Sequence, residues 1–484
     1  MNLPTDTASH IYFIGIGGIS MSGLAQILVH RGYQVSGSDR SASVQTDELM
    51  AAGIHVYIGQ RAENLEEAMP VDLVVYTAAI HPDNPEYVEA VRRGIPMMTR
   101  AELVGEIMRR YRLPIAVAGT HGKTTTTSMV SQILLSADAD PTLSIGGVYP
   151  PIGSSVRVGG SDIFVTEACE YTNSFLSFAP GIAVILNIEE DHLDFFKDLE
   201  DIRHSFRRFA GLVPEASEGG CLVISSEIDD LEELTHDLPC RVVTFEGAPA
   251  EGVSAGHPPA SYYPEGTEYD GSGCARFTLH RPGGLPDLDI ALGVPGRHNV
   301  GNAIAAVAAV DALWRDEYED TERRERYERA IVEGLAAFSG AERRLERKGE
   351  ILGVTIIDDY AHHPSEMRAS LSVAEAIPHK HLYLVFQPHT YSRTKALFED
   401  FALVLKDVEH VILAPVFAAR ETDTLGVSSD LLAERIRELG GDVISLPSFD
   451  EIVDHLLQNC TKGDLLITMG AGDVVRIGEE LLGK

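Results

Sequence analysis

Short apolar runs alternate along the chain with stretches of helical spacing, and this rhythm predicts three successive α/β regions. The first opens with an apolar run at 10–15, a Gly-rich turn and a helical pattern through Arg31, with further strands expected at 34–37 and 72–77. The second starts near Leu113. Its strand at 115–118 runs into another Gly-rich loop and a helix, and strands are expected at 163–166 and 182–186. The spacing at 298–314 predicts a packed helix, whereas 247–273, rich in Gly, Pro, Ser and Tyr, reads as a long surface excursion. The third region begins near Phe338 and alternates most cleanly, with strands at 355–357, 382–386, 411–414, 443–446 and 465–468. The expected fold class is α/β with three domains. These are a Rossmann-like domain at 1–108, a central P-loop ATPase-type domain at 109–336 and a doubly wound domain at 337–484.

Composition narrows the class. A chain of 484 residues accommodates two to four domains of ~100–200 residues each. With 44% hydrophobic and 23% charged residues it buries ordinary globular cores. No apolar run approaches the ~18 residues of a membrane span, and the first ten residues do not read as a secretory signal, so a cytoplasmic protein without a membrane partner is expected. The five cysteines form no CxxC pair and no disulfide framework. At least four read as buried reduced thiols, and Cys169 is left open because it stands inside a motif. A net charge of −34 repels nucleic acid. An anionic nucleotide would have to be held against that field by local Lys, Arg and helix N-termini.

The strongest local signal is Ala118-Gly-Thr-His-Gly-Lys-Thr124, between a strand and a helix. Backbone N–H groups of such a loop cradle phosphate oxygens, Lys123 reaches the outer phosphates and the Thr124 hydroxyl suits Mg²⁺. Val117 stands where the general phosphate-loop pattern has its first glycine. A second loop, Gly15-Ile-Gly-Gly-Ile-Ser20, resembles a dinucleotide fingerprint with Ser20 in place of the third glycine, and Asp39 follows at the distance of a ribose-binding acid. This supports a nucleotide diphosphate site without naming the nucleotide, so a dehydrogenase remains a rival. Acidic groups follow two strands, in Glu167-Ala-Cys-Glu170 and Asn187-Ile-Glu-Glu-Asp-His192-Leu-Asp194. Glu167 or Glu170 is expected to hold one Mg²⁺ and His192 a second cation, while a lone His is ordinarily a core or cap residue. Asn299 reads equally as a helix cap or a reader of adenine. Arg343-Arg344 reads as a solvated charge pair. Asp358 and Asp359 suit a ribose, a metal or an amine, and Arg393 suits a carboxylate or phosphate.

In this order the motifs resemble the Mur ligase family over nearly the whole chain, most of all its alanine-adding members. The resemblance rests on 15–22 with Ser38-Asp39, 119–126, 167–175, 187–194, 296–299, 358–364, 387–394, Ala419-Arg-Glu and Thr468-Met-Gly-Ala-Gly-Asp473. One departure is Glu167-Ala-Cys-Glu-Tyr-Thr172, where alanine-adding members often read Glu-Ala-Asp-Glu-Ser-Asp. A related ligase that reuses murein tripeptide shares this feature.

The resemblance implies an ATP-dependent ligase joining UDP-N-acetylmuramate to L-alanine through an acyl phosphate, with two Mg²⁺ ions, as a monomer or homodimer. It implies UDP-sugar contacts at Gly15, Gly17, Gly18, Ser20, Met21, Ser38, Asp39 and Thr77. ATP contacts are implied at Gly119, Thr120, His121, Gly122, Lys123, Thr124, Thr125, Asn299, Arg344 and Asp359, and amino-acid contacts at Tyr360, His363, His389 and Arg393. Metal ligands are implied at Thr124, Glu167, Glu170 and His192. The catalytic set is Lys123, Glu167, Glu170, His192, His363 and Arg393. The rivals are the dehydrogenase, the tripeptide ligase and a non-catalytic relative.

Overall fold

The computed structural model describes residues 2–77, 80–193, 195–247, 260–419 and 421–484. Asp194, Arg420 and the 248–259 part of the expected excursion lie outside the described residues. Three mainly parallel sheets with flanking helices carry the fold, as the alternation of apolar runs predicts.

The first sheet comprises β1 (His10–Ile14), β2 (Gln34–Asp39), β3 (His55–Ile58), β4 (Leu73–Tyr76) and β5 (Met97–Thr99), all parallel, in the order β3-β2-β1-β4-β5. The chain turns to opposite sides of β1, so a crevice opens at its carboxyl end, where the loop 15–20 leads into the helix Ile19–His30.

The second sheet comprises β6 (Ile115–Ala118), β7 (Thr142–Tyr149), β8 (Ser154–Arg157), β9 (Phe164–Glu167), β10 (Ile182–Ile185), β11 (Cys221–Ser225) and β12 (Arg241–Phe245). Its order is β12-β11-β10-β6-β9-β7-β8, parallel except for the β7–β8 pair. β6 reads Ile-Ala-Val-Ala and is buried on both faces, as a central parallel strand must be. Its neighbours β9 and β10 bring Glu167 and Asn187 to the same end as the loop after Ala118.

β13 (Tyr263–Tyr269), β14 (Cys274–His280) and β15 (Leu288–Pro295) form an antiparallel sheet packed against the helix Thr321–Ala337. This corrects the expected excursion, because 263–269 is a strand. Its sequence carries Pro264 and Gly266, and most of its residues are exposed, so only one edge of it pairs and the pattern resembles a loop. The helix expected at 298–314 is present as His298–Trp314 and is buried nearly all round.

The third sheet comprises β16 (Glu346–Ile351), β17 (Val354–Asp359), β18 (Leu382–Phe386), β19 (His410–Leu413), β20 (Val443–Ser445) and β21 (Leu465–Met469). The order is β16-β17-β21-β18-β19-β20, with β16 alone antiparallel. Asp359, Gln387 and Gly470 therefore emerge side by side at the carboxyl ends of β17, β18 and β21.

The helix Arg100–Met108 approaches the 171–178 segment so closely that a Cβ on Gly105 would lie 1.9 Å from the Ser177 carbonyl oxygen. Gly105→Ala must push these backbones apart. It should cost ~1–3 kcal/mol, read as a lowered melting temperature, and an unchanged melting temperature would contradict this packing.

Candidate active site

Two glycines shape the loop after β6. Gly119 has φ 142° and Gly122 has φ 83°; a Cβ on Gly122 would lie 2.6 Å from Asn302 Oδ1. The loop is pinned to the segment after β10. Thr120 N donates to the Asn187 carbonyl at 3.2 Å, His121 N to Asn187 Oδ1 at 2.8 Å, and Glu189 N to Thr120 Oγ1 at 2.9 Å. Lys123 Nζ donates to the Thr120 carbonyl at 3.0 Å and to both Glu170 oxygens at 3.1 and 3.2 Å. Burial alone would lower the Lys123 ammonium, but the adjacent Glu170 holds it above the usual lysine range.

Around this cation lie the acidic groups. Thr124 Oγ1 donates to Glu167 Oε2 at 3.1 Å, and Gly146 N to Glu167 Oε1 at 2.6 Å. Burial pushes the Glu167 carboxyl upward, the condition of an anion short of positive charge. His192 sits at φ 55°, its ring stacked on Tyr171, with Nε2 3.9 Å from Glu170 Oε1 and 3.6 Å from Asp191 Oδ2. Burial lowers its imidazole, against the pull of Asp191 and Glu170. The Thr124–Glu167 and Glu170–His192 pairs thus gather oxygen and nitrogen donors near Lys123, and the oxygen-rich first has the chemistry that suits Mg²⁺.

The third sheet closes over this end. Arg393 Nε and Nη2 donate to Asp191 Oδ1 at 3.3 and 3.2 Å, and Arg393 Nη1 lies 3.2 Å from His389 Nδ1. Burial would raise the Asp191 carboxyl, but Arg393 holds it below the usual range. His363 Nε2 donates to the Glu190 carbonyl at 3.1 Å, and because that oxygen only accepts, the ring proton is on Nε2. His363 Nδ1 then accepts from Ser365 Oγ at 2.8 Å. His121 Nδ1 pairs with Glu366 Oε1 at 3.2 Å, and Nε2 lies 3.5 Å from Glu189 Oε2.

A cavity of about 910 Å³ runs between the second and third sheets, the size of a nucleotide-binding cleft. Gly122, Thr125, Asn299 and Asn302 line one wall, Arg344 and Asp359 the other. Burial pushes the Asp359 carboxyl up to about 6, although it accepts from Leu345 N at 2.9 Å and Ala361 N at 2.6 Å. Asn299 does not cap its helix. Arg297 is the cap residue, without a side-chain bond, and Asn299 Nδ2 donates to the Pro295 carbonyl at 2.7 Å. Arg343 is not a solvated charge. It pairs with the fully buried Asp358 at 3.0 Å and donates to the Gly472 and Gly470 carbonyls at 3.0 and 2.8 Å. Asp358 is therefore spent inside the fold. Arg343 and Arg344 both stack over Tyr360.

The first loop lies apart, at the carboxyl end of β1. Gly15 N and Ile16 N donate to the Ser38 carbonyl, and Gly17 N donates to Asp39 Oδ2 at 2.8 Å. A Cβ on Gly15 would meet Thr77 at 3.2 Å. Arg100 Nη1 donates to Ser20 Oγ at 3.2 Å, Gly18 caps the following helix and Met21 is buried within it. The Ser38 hydroxyl is fully buried and donates to Glu86, which also accepts from Tyr12 and Asn64, so it faces the core and not the crevice. Asp191, Glu366, Glu189 and Arg100 belong to this picture but were not singled out from sequence. Asp191 was visible inside its motif. Glu366 follows His363 by three positions and carries only the signal of a helix start.

Three family profiles match in order: "Mur ligase family, catalytic domain" over residues 10–112, "Mur ligase middle domain" over 117–310 and "Mur ligase, glutamate ligase domain" over 343–472. The chain belongs to the Mur ligase family. Among similar Mur ligases, the UDP-N-acetylmuramate–L-alanine ligase of Lachnospira eligens is 52% identical over 473 residues, 98% of each chain. The protein of the same name from Agathobacter rectalis is 53% identical over 475 residues, again 98% of each. The crystal structure of the Thermotoga maritima UDP-N-acetylmuramate–alanine ligase superposes with a TM-score of 0.76 at 26% identity, covering 98% of each chain. A murein peptide ligase from Psychrobacter arcticus, at 24% identity and a TM-score of 0.68, shares the fold. Among the described residues, no helix of this Mur ligase is long and apolar enough to cross a membrane.

The His121 contact titrates. Burial would lower its imidazole, but Glu189 and Glu366 carry it up to about 9. The contact's stabilisation is complete below the ordinary imidazole value of ~6.5 and is lost as pH rises through about 9. Between pH 7 and 10 the melting temperature should fall further in the native protein than in His121→Gln; equal falls would contradict the pairing.

Proposed function

We propose that this chain is a UDP-N-acetylmuramate–L-alanine ligase, using ATP to join the two in peptidoglycan precursor synthesis. The observation that carries the reading is the Lys123 ammonium at the carboxyl end of β6, its side chain only 17% exposed and paired with the buried Glu170, in a loop whose His121, Gly122 and Thr125 line a two-walled cavity. Near-full-length identity to two relatives bearing that name supports the choice of substrates. The division into 1–108 for the UDP-sugar, 109–336 for ATP and 337–484 for the amino acid and closure is part of this proposal. So are a cytoplasmic location, a monomeric or homodimeric state and the absence of a nucleic-acid partner.

Gly119, Thr120, His121, Gly122, Thr124 and Thr125 cradle the triphosphate, Asn299 reads the adenine, and Arg344 and Asp359 hold the ribose and phosphates. Gly15, Gly17, Gly18, Ser20, Met21, Asp39 and Thr77 hold the UDP portion, with Ser38 contributing through its backbone. Lys123 places a fixed positive charge on the γ-phosphoryl group while the lactyl carboxylate attacks phosphorus and ADP leaves. Two Mg²⁺ ions, one at Thr124 and Glu167 and one at Glu170 and His192, would offset the charge on that group. Arg393, with Tyr360, His363 and His389, orients L-alanine; its neutral amine attacks the activated carbonyl, the C–O bond to phosphate breaks, and the proton the amine gives up leaves with the phosphate as hydrogen phosphate. Burial pushes His389 down to about 3, with His362 and Arg393 adding to the effect. The Asp191–Arg393 and Glu190–His363 contacts keep the closed site dry while the acyl phosphate survives.

Phosphate release from ATP with Mg²⁺ and UDP-N-acetylmuramate should require L-alanine, and Lys123→Ala should lower it by at least about 10²-fold while UDP-sugar binding persists. Normal turnover in that variant would overturn the phosphate-loop role, and release only with murein tripeptide would overturn the choice of amine.

A further inference from the structure

At the opposite, amino end of the third sheet, the starts of β18, β19 and β20 lie side by side. His381 immediately precedes β18, His410 begins β19 after Glu409, and Asp442 immediately precedes β20. One donor atom from each of His381, Glu409 and His410 lies within 4.8 Å of the other two. His381 Nδ1 is 2.6 Å and His410 Nε2 4.0 Å from the same oxygen, Glu409 Oε1. A tetrahedral ion with bonds of ~2.0–2.2 Å needs donors about 3.3 Å apart, so small side-chain rotations suffice.

What distinguishes this group from a surface ion pair is its support. His410 Nδ1 faces Asp442 Oδ2 at 2.8 Å, the carboxylate–imidazole pairing that fixes a ligating histidine's tautomer and ring orientation. Leu382 N donates to Glu409 Oε2 at 3.0 Å, which leaves Oε1 to face both imidazoles. Two nitrogens and one carboxylate oxygen suit Zn²⁺, Co²⁺ or Ni²⁺, whereas Mg²⁺ prefers oxygen.

We propose that His381, Glu409 and His410 form a second metal site, for a divalent transition ion, with Asp442 as its outer support. The side chains are 39%, 44% and 34% exposed, so solvent completes the coordination. β18 spans five residues, which at ~3.3 Å per residue sets the site about 16 Å from its carboxyl end, where Gln387 and His389 begin the ligase site. The ion therefore staples the amino ends of two strands and takes no part in the ligase reaction.

The test is a Co²⁺ titration of metal-stripped, full-length protein followed by visible absorption, with Zn²⁺ competition. His381→Ala, His410→Ala and Glu409→Gln should each weaken binding at this site at least tenfold while Mg²⁺-supported ATP turnover stays normal. Asp442→Asn should weaken it ten- to a hundredfold. Zn²⁺ should raise the melting temperature of the native protein and not of His410→Ala. His121→Gln, in the other histidine–carboxylate group near Glu189 and His363, should leave the Co²⁺ signal intact. A titration unchanged by His381→Ala and His410→Ala, no Co²⁺ signal at all, or a signal lost only in His121→Gln would overturn the site.

Discussion

At the carboxyl end of β6 a lysine ammonium is held out of water by one carboxylate and the carbonyls of its own loop. In a chain of net charge −34, this concentration of positive charge makes a polyphosphate site possible. The rest of the architecture is arranged around keeping it there. β6 must be central and fully apolar to end in a rigid loop, Gly119 and Gly122 must lack side chains for that loop to close, and β9 and β10 must flank β6 for Glu167, Glu170 and His192 to arrive beside it.

The second consequence is closure. Lys123 and its acids lie on one wall only, and the groups that complete the site come from the third sheet, through Arg393 on Asp191, His363 on the Glu190 carbonyl and Glu366 on His121. These contacts link the phosphate loop itself to the third sheet, so the position of that sheet and the state of the loop are coupled. Arg343 serves the same end from inside, tying buried Asp358 to the Gly470 and Gly472 carbonyls.

Much of this was legible in sequence where the signal is local. A strand running into Gly-Lys-Thr and a helix is a contiguous pattern, and acidic residues just past an apolar run must gather at one end of a parallel sheet. The three α/β rhythms and the long helix His298–Trp314 were legible for the same reason. What was not legible depends on distant partners. His121 and Glu366 meet across the whole central region, and nothing near either announces the other. Ser38 stands in a loop motif, yet its hydroxyl turns inward to Glu86, a buried carboxylate that also accepts from Tyr12, Asn64 and the Arg61 backbone N–H. The strand Tyr263–Tyr269 has the composition of a loop because only one of its edges is paired.

In the proposed reaction a carboxylate is phosphorylated before an amine attacks it. The most direct measurement is isotope transfer, with UDP-N-acetylmuramate carrying ¹⁸O in its lactyl carboxylate turned over with ATP, Mg²⁺ and L-alanine. Transfer of one ¹⁸O atom into the released phosphate is the predicted result; phosphate free of label alongside amide formation would contradict it.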